Sequence, residues 1–209
     1  MPKMKRCCLM WKAFIKPLAL LSCLSLAACA SGPSPQRDEK AAVDVEPQAR
    51  AEYTLAIQAL KSGQDSDAVR RFTEMTQKYP KLAGPFVNLG LLYIKQHKYD
   101  EAKQALLQAT VVRPDDAIAY NHLGVAYREL GDFQQAQQAY EQALKLKPDY
   151  ADAHLNIGIL YDVYLNDLSQ ALAHYEKYQS LNGKPDDKVE KWIVDLKRRV
   201  GKNQAKAAS

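Results

Sequence analysis

The side chains most able to bind a metal ion or to act as a general base are four histidines, His97, His122, His154 and His174. None has a second histidine or cysteine at the close spacing that zinc sites use. Two Asp-Asp pairs, at 115–116 and 186–187, stand where helices are predicted to start, and helix capping accounts for them. No nucleophile elbow, phosphate loop or dinucleotide fingerprint occurs. The sequence therefore predicts no catalytic residue, no metal site and no small-molecule substrate.

Cys29 is the one remaining residue with distinctive chemistry, because it follows a segment typical of a signal peptide. Five basic residues precede an apolar run of about a dozen residues, 17–28, which is too short to span a bilayer. The run ends in Leu26-Ala27-Ala28, and small residues of this kind suit a signal peptidase. The other three cysteines lie within this segment, so cleavage before Cys29 leaves a mature chain with no internal disulfide.

Residues 26–29 resemble the lipobox of bacterial lipoproteins. The resemblance implies removal of residues 1–28 and lipidation of Cys29, with no other cofactor. Because each buried methylene contributes about 0.8 kcal/mol, two or three acyl chains would form a lasting anchor. By the same resemblance, Ala30 in place of an aspartate implies the outer membrane, with the protein facing the periplasm. The alternative is an ordinary secretory signal cut after Ala28 or Ala30, with Cys29 incidental.

The net charge of the mature chain differs from that of the whole sequence. The sequence has 29 Lys and Arg against 24 Asp and Glu, and five of the basic residues precede Cys29. The 24 Lys and Arg that remain equal the 24 Asp and Glu in number, so the predicted mature chain has no net charge. Nucleic-acid binding depends on neutralising phosphates with basic side chains, so the sequence predicts no nucleic-acid partner.

Glycines recur at a fixed spacing of 34 residues: Gly90, Gly124 and Gly158. Each lies in the pattern Leu/Ile-Gly-x-x-Tyr, and a fixed period of this length indicates stacked helix-turn-helix units. Large residues four and one before and three after each glycine form one apolar helix face. Glycine and alanine in the pattern would let neighbouring helices approach closely. Ala56 stands one period before the first of these glycines.

These residues resemble the tetratricopeptide repeat (TPR). The resemblance implies an all-α, right-handed superhelical solenoid of about four units: 49–82, 83–116, 117–150 and 151–185. The sequence predicts a capping helix at 186–200 and a disordered tail at 201–209, while the Pro-rich, polar composition of residues 29–48 predicts a flexible tether behind the lipidated cysteine. The fourth unit departs from the pattern: His154 replaces an aromatic residue, and one extra residue falls in the Tyr164–Leu168 turn. We interpret this histidine as packed and hydrogen-bonded.

The inner, concave face of such a stack comes from the first helix of each unit. Offsets of −3, +1 and +4 from the glycine position turn away from the core and predict a groove for a peptide or a helix. The predicted groove residues, together with Asn88 from offset −2, are Tyr53, Ile57, Leu60, Val87, Asn88, Leu91, Ile94, Asn121, Val125, Arg128, Leu155 and Ile159. The alternative is that neighbouring first helices bury much of this row against each other. Likewise, residues at offset −2, such as Asn88 and Asn156, fit either a peptide ligand or hydrogen bonds between repeats.

The whole chain is similar to the small repeat lipoproteins that serve type IV pilus or secretion systems. That resemblance implies a non-enzymatic, membrane-anchored scaffold that binds protein partners and supports the assembly or localisation of an envelope machine. An alternative is a periplasmic adaptor that recruits enzymes such as peptidoglycan hydrolases to the outer membrane. The sequence names no partner.

Overall fold

The computed structural model describes residues 47–207. The predicted signal peptide, Cys29 and the tether up to residue 46 lie outside this range. Within it the chain forms nine α-helices and no strand. The helices are α1 (Pro47–Lys61), α2 (Asp65–Lys78), α3 (Ala83–Lys95), α4 (Tyr99–Val112), α5 (Ala117–Leu130), α6 (Phe133–Leu146), α7 (Ala151–Ile159), α8 (Leu168–Leu181) and α9 (Asp187–Ala207), and a π-helical turn, Leu160–Leu165, follows α7 directly.

The helices pack as a stack of successive pairs. The two helices of each unit contact each other, and the second helix of each unit also contacts the first helix of the next. First helices of consecutive units touch as well, α3 with α5 and α5 with α7. Buried aliphatic and aromatic side chains run through the stack in successive clusters. The predicted fold class, an all-α solenoid of TPR units, is confirmed.

The 34-residue glycine spacing has a direct steric cause. A Cβ atom built on Gly124 would lie 2.5 Å from the ring of Tyr140, and one on Gly90 would lie 2.4 Å from the side chain of Leu106. Gly158 meets Tyr175 in the same way, at 2.7 Å. Each glycine therefore lets the second helix of its unit insert a large, fully buried side chain against the first helix.

The turn between the two helices of every unit contains one residue in the left-handed conformation. These residues are Gly63, His97, Gly131 and Asn166, with φ between 53° and 84°. Glycine adopts this conformation without strain, and Gly131 ends α5 in this way. Asp132 follows it at the start of α6 and makes no capping hydrogen bond through its side chain.

The extra residue of the fourth unit lies in the π-helical turn Leu160–Leu165, and the prediction that placed it in the Tyr164–Leu168 turn is corrected. A π-helix bonds i to i+5 and so absorbs one residue within a helix. The turn that follows keeps its hydrogen bond: Asp167 N–H donates to Tyr161 O at 3.0 Å, as Asp132 N–H does to Tyr127 O at 2.9 Å. The two bonds span six and five residues, so the insertion leaves the turn intact.

The last helix repeats the pattern of a first helix. Taking Ile193 as the glycine position, Val189, Ile193 and Leu196 occupy offsets −4, 0 and +3, and all three are buried. Ile193 follows Gly158 by 35 residues, one period plus the residue of the π-helical turn. A large residue fits at this position because no following helix approaches it in the described range. Thus α9 covers the fourth unit as the first helix of an incomplete fifth.

Three predicted boundaries need correction. The first unit begins with Pro47 rather than residue 49, because proline is well suited to the first turn of a helix. The capping helix starts at Asp187 and runs to Ala207, so most of the predicted disordered tail is helical. Lys, Gln and Ala after Gly201 favour helix strongly enough to continue it through that glycine.

Candidate interaction surface

Offset −3 of the first helices forms contacts between units rather than an open surface. Val87 is 8% exposed and packs with Ala119 of the next first helix, and Asn121 is 1% exposed. These two residues do not line a groove, and that part of the prediction is wrong. The reason is the close contact of α3 with α5 and of α5 with α7, which covers this offset.

The asparagines at offset −2 bond to the preceding first helix. Asn88 Nδ2 donates to Tyr53 Oη of α1 at 2.8 Å, and also to Gly84 O of its own helix at 2.8 Å. Asn156 Nδ2 donates to Asn121 Oδ1 at 3.0 Å. Of the two interpretations that the sequence left open, this geometry favours hydrogen bonding between repeats.

The remaining predicted groove residues are partly buried and keep some accessible surface. At the N-terminal end Ile57 and Leu60 pack beside the cluster around Phe72, and Leu91 packs beside Val87. At the C-terminal end the residues beside the cluster of units three and four are Val125, Leu155 and Ile159. Offset +1 therefore carries a row of half-buried aliphatic residues, one in each of the four units.

The last helix carries a further apolar residue at the same offset, which the sequence analysis did not predict. Val194 follows Ile193 and so stands at offset +1 of α9, and it is 63% exposed. The sequence signal was present, because the buried pattern of α9 repeats the offsets of the earlier units. Because α9 was interpreted only as a cap, Val194 was not among the predicted residues.

Charged residues at offset +4 and nearby are paired within the protein. Arg128 is only 13% exposed, and its Nη2 donates to Glu129 Oε1 at 2.8 Å, while its Nη1 is buried without a partner. Asp162 accepts a hydrogen bond from Arg199 Nη1 of α9 at 3.2 Å. The ammonium group of Lys95 lies 2.6 Å from a carboxylate oxygen of α2. The accessible row is thus apolar, and the charges at its edge are largely balanced.

Two histidines that the sequence separates by 20 residues meet in the fourth unit. His154 Nδ1 lies 2.9 Å from His174 Nδ1, and His154 Nε2 lies 3.0 Å from Pro148 O. His154 is 8% exposed, which confirms its interpretation as a packed, hydrogen-bonded residue. Burial lowers the pKa of His154, and burial followed by the neighbouring His154 lowers the pKa of His174 to about 4. No local spacing indicated this pair.

Neither a metal site nor a membrane span is indicated between residues 47 and 207. In that range no three His, Cys, Asp or Glu side chains come together as metal ligands. None of its helices is long and apolar enough to cross a membrane.

Family models identify the repeats. One tetratricopeptide-repeat model matches residues 81–149 and a second matches residues 123–187, so that together they cover about half of the chain. This chain is a TPR protein. None of the curated proteins compared with it matches its sequence.

Solved TPR structures share the fold at low sequence identity. MamA 41-end from Desulfovibrio magneticus RS-1 superposes with a TM-score of 0.66 at 17% identity, over 78% of this chain and 92% of that one. A thermophilic TPR protein of Thermus thermophilus gives 0.60 at 24% identity, over 71% and 80%. The first TPR domain of Spaghetti (RPAP3), solved with an HSP90 peptide, gives 0.53 at 23% identity, over 57% and 93%. Proteins of this fold are generally non-enzymatic scaffolds for protein–protein interactions.

Proposed function

We propose that this TPR protein is a lipid-anchored scaffold of the bacterial envelope that holds a protein partner by an apolar peptide or helix. The partner belongs to a type IV pilus or secretion pore, whose assembly or localisation the scaffold supports. The observation that carries the proposal is the aliphatic row at offset +1, from Ile57 to Ile159, together with the exposed Val194 at the same offset of α9.

This row favours a peptide because of its geometry. Its members recur once per unit along consecutive first helices, so an extended or helical segment can contact several at once. Its members on α1, α3, α5 and α7 are half-buried, and the part of each side chain that stays accessible offers apolar surface to a partner. In the RPAP3 structure a TPR domain binds an HSP90 peptide, so a domain of this fold can hold a peptide.

The groove is tested by charge substitutions along the row. Val194→Glu leaves the core intact because the valine is 63% exposed, and Val111→Glu on α4 is a matched control at 72% exposure. We expect Val194→Glu to reduce capture of the partner from solubilised envelope at least about tenfold, with Val111→Glu unchanged. Leu91→Glu should also reduce capture, with circular dichroism used to check its fold. Equal capture by Val194→Glu, Leu91→Glu and wild type would remove the groove from the proposal.

The identity of the captured protein separates the two candidate functions. Pilus or secretin subunits support the assembly scaffold. Peptidoglycan hydrolases instead support the adaptor function and contradict the assembly role. The capture uses crosslinking before solubilisation, with identification of the bound proteins by mass spectrometry, and the Val194→Glu variant serves as the background sample.

The anchor is tested separately, through Cys29. The wild-type protein should fractionate with outer membranes, and its N-terminal peptide should carry the mass of acyl chains. Cys29→Ser should be released into the soluble periplasmic fraction, while Cys23→Ser, within the predicted signal, should leave anchoring intact. Membrane association of Cys29→Ser that equals wild type would show that the lipobox interpretation is wrong.

A further inference from the structure

The two histidines of the fourth unit face each other through their Nδ1 atoms. His154 Nδ1 and His174 Nδ1 are 2.9 Å apart, and the ring centroids are 5.2 Å apart. The difference, 2.3 Å, is about twice the distance from the centre of an imidazole to its nitrogen. The two nitrogens therefore lie on the line between the rings and point at each other, as in a hydrogen bond. Lone pairs that bind one metal ion would instead converge on a point beside that line.

The backbone fixes which nitrogen carries the proton. The carbonyl of Pro148 can only accept, so His154 Nε2–H donates to it at 3.0 Å. Neutral His154 then has a lone pair on Nδ1, and this lone pair accepts the Nδ1–H of His174. A second proton on His154, at Nδ1, would place two N–H groups face to face, whereas a second proton on His174, at Nε2, would leave its Nδ1–H donating to His154. The contact therefore requires that His154 be neutral.

The surroundings of the pair disfavour added charge. His154 stands at offset −4 of α7 and is 8% exposed, and His174 of α8 stacks on Tyr161, with centroids 5.7 Å apart and planes 15° apart. The cation of Lys177 on α8 opposes a charge on His154. Glu141 on α6 is the one acidic group that acts on His174, and it offsets the burial only in part.

We propose that His154 and His174 form an acid-sensitive lock between the two helices of the fourth unit. The lock is closed while His154 is neutral, and protonation of His154 in acid opens it. Opening loosens α7 from α8 and, through α8, the packing of α9, which together carry the C-terminal end of the aliphatic row. The lock does not depend on the proposed partner or on the lipid anchor, so its test is independent of theirs.

The sign of the pH dependence follows from linkage. Both pKa values lie below the ordinary value in the folded protein, so the unfolded chain binds more protons in acid. The stabilisation is fully present above about pH 6.5 and is lost as the pH falls from there towards about 4. One pH unit within this window changes the opening equilibrium by up to about tenfold per histidine.

The test is hydrogen exchange, measured by mass spectrometry at pH 7.5 and 5.0 with correction for intrinsic rates. We expect protection of residues 151–207 to fall about tenfold in acid relative to residues 47–116. His154→Phe, which restores the aromatic residue found at this offset in Phe86 and Tyr120, should abolish the extra loss. His97→Asn, at an exposed turn, should behave as wild type.

Three outcomes would overturn the lock: an equal loss of protection in both halves of the wild type, an unchanged acid response in His154→Phe, or removal of the response by His122→Gln on α5. If His154→Phe does not fold, the imidazole resonances of the wild-type protein decide instead, by NMR titration. Titration of His154 and His174 well below pH 6.5, with exchange broadening on both, supports the lock. Independent titration of both rings near pH 6.5 contradicts it.

Discussion

The side-chain amide of Asn156 donates a 3.0 Å hydrogen bond to Asn121, which lies 35 residues earlier in the chain. Asn88 and Tyr53 are joined in the same way, at 2.8 Å and with the same separation. Both bonds connect offset −2 of one first helix with offset −3 of the preceding one. The geometry between units therefore repeats even though the acceptor changes from an amide to a phenol.

The interface between the second and third units uses different chemistry at the same two offsets. Val87 and His122 occupy them, and Val87 packs with Ala119 instead of accepting a hydrogen bond. Burial lowers the pKa of His122, so the surroundings disfavour a positive charge at this interface. The amide pair is therefore specific to the interface between the third and fourth units, and removing it measures its contribution to the stability of the protein.

Asn156→Ala should destabilise the protein by about 1–2 kcal/mol. The substitution removes a donor to Asn121, whose side chain is 1% exposed, and an unsatisfied buried acceptor costs about 1–3 kcal/mol. Urea unfolding measures the change. Asn203→Ala, at an exposed position of α9, is the control and should leave the midpoint unchanged. Replacing both partners, as Asn121→Val with Asn156→Ala, should recover part of the loss; a double variant worse than the sum of the single ones would argue against this account.

Gly124→Ala should destabilise the protein by about 1–3 kcal/mol. The added methyl would lie 2.5 Å from the ring of Tyr140, which is fully buried and has little room to move. Gly201→Ala is the matched control, because no atom lies within 4 Å of its Cβ position in α9. This second change should stabilise slightly, since alanine exceeds glycine in helix propensity by about 1 kcal/mol. Thermal unfolding of the two variants should shift in opposite directions, and shifts of the same sign would contradict the steric explanation.

The periodicity of the glycines was enough to predict the helix pairs, the fold and the residues that pack within each unit. Two features lay beyond it. The burial of Val87 and Asn121 depends on the angle between consecutive first helices, which no local pattern encodes. The extra residue of the fourth unit could be counted but not placed, because a π-helical turn and a longer loop have the same length in sequence.

The residues of the candidate surface could likewise be predicted only in part from the sequence. Ile57, Leu91, Val125 and Ile159 follow from their offset alone, and each keeps part of its surface accessible. Val194 required recognition that α9 repeats the pattern of a first helix. The contact of His154 with His174 arises from helix packing across 20 residues, and no spacing rule for metal or catalytic sites would have found it.

His97→Gly should raise the stability of the protein by up to about 1 kcal/mol. His97 adopts a φ of 57°, and this conformation destabilises a residue with a Cβ by about 1–2 kcal/mol. The gain is reduced by the greater freedom of glycine in the unfolded chain, about 0.5–1 kcal/mol, and by loss of the exposed hydrogen bond to Tyr99. Gly131→Ala, at the equivalent turn with φ of 84° and open space around it, should show the reverse effect. A decrease in melting temperature for both variants would show that strain in the turn does not determine the change in stability.

Asp186→Ala should loosen the start of α9 at neutral pH. Asp186 Oδ1 accepts hydrogen bonds from the backbone N–H groups of Lys188 and Val189, at 3.0 and 3.2 Å, and Tyr178 Oη donates to Oδ2 at 3.1 Å. The Val189 N–H group is the main reason that the pKa of this carboxyl lies below its usual value. Asn is also a good N-cap, so Asp186→Asn should retain most of the protection of α9 against hydrogen exchange.

The pH dependence of this cap separates it from the histidine pair. A lowered carboxyl pKa stabilises the folded state above about pH 3.8 and loses that effect as the pH falls through the folded value. The difference in α9 protection between wild type and Asp186→Ala should therefore stay constant from pH 7 to pH 5 and shrink only below about pH 4. Loss of protection in wild-type α9 near pH 5 would then arise from His154 and His174 and should persist in Asp186→Asn. If that variant removed the loss near pH 5, the cap rather than the histidine pair would be the acid-sensitive element.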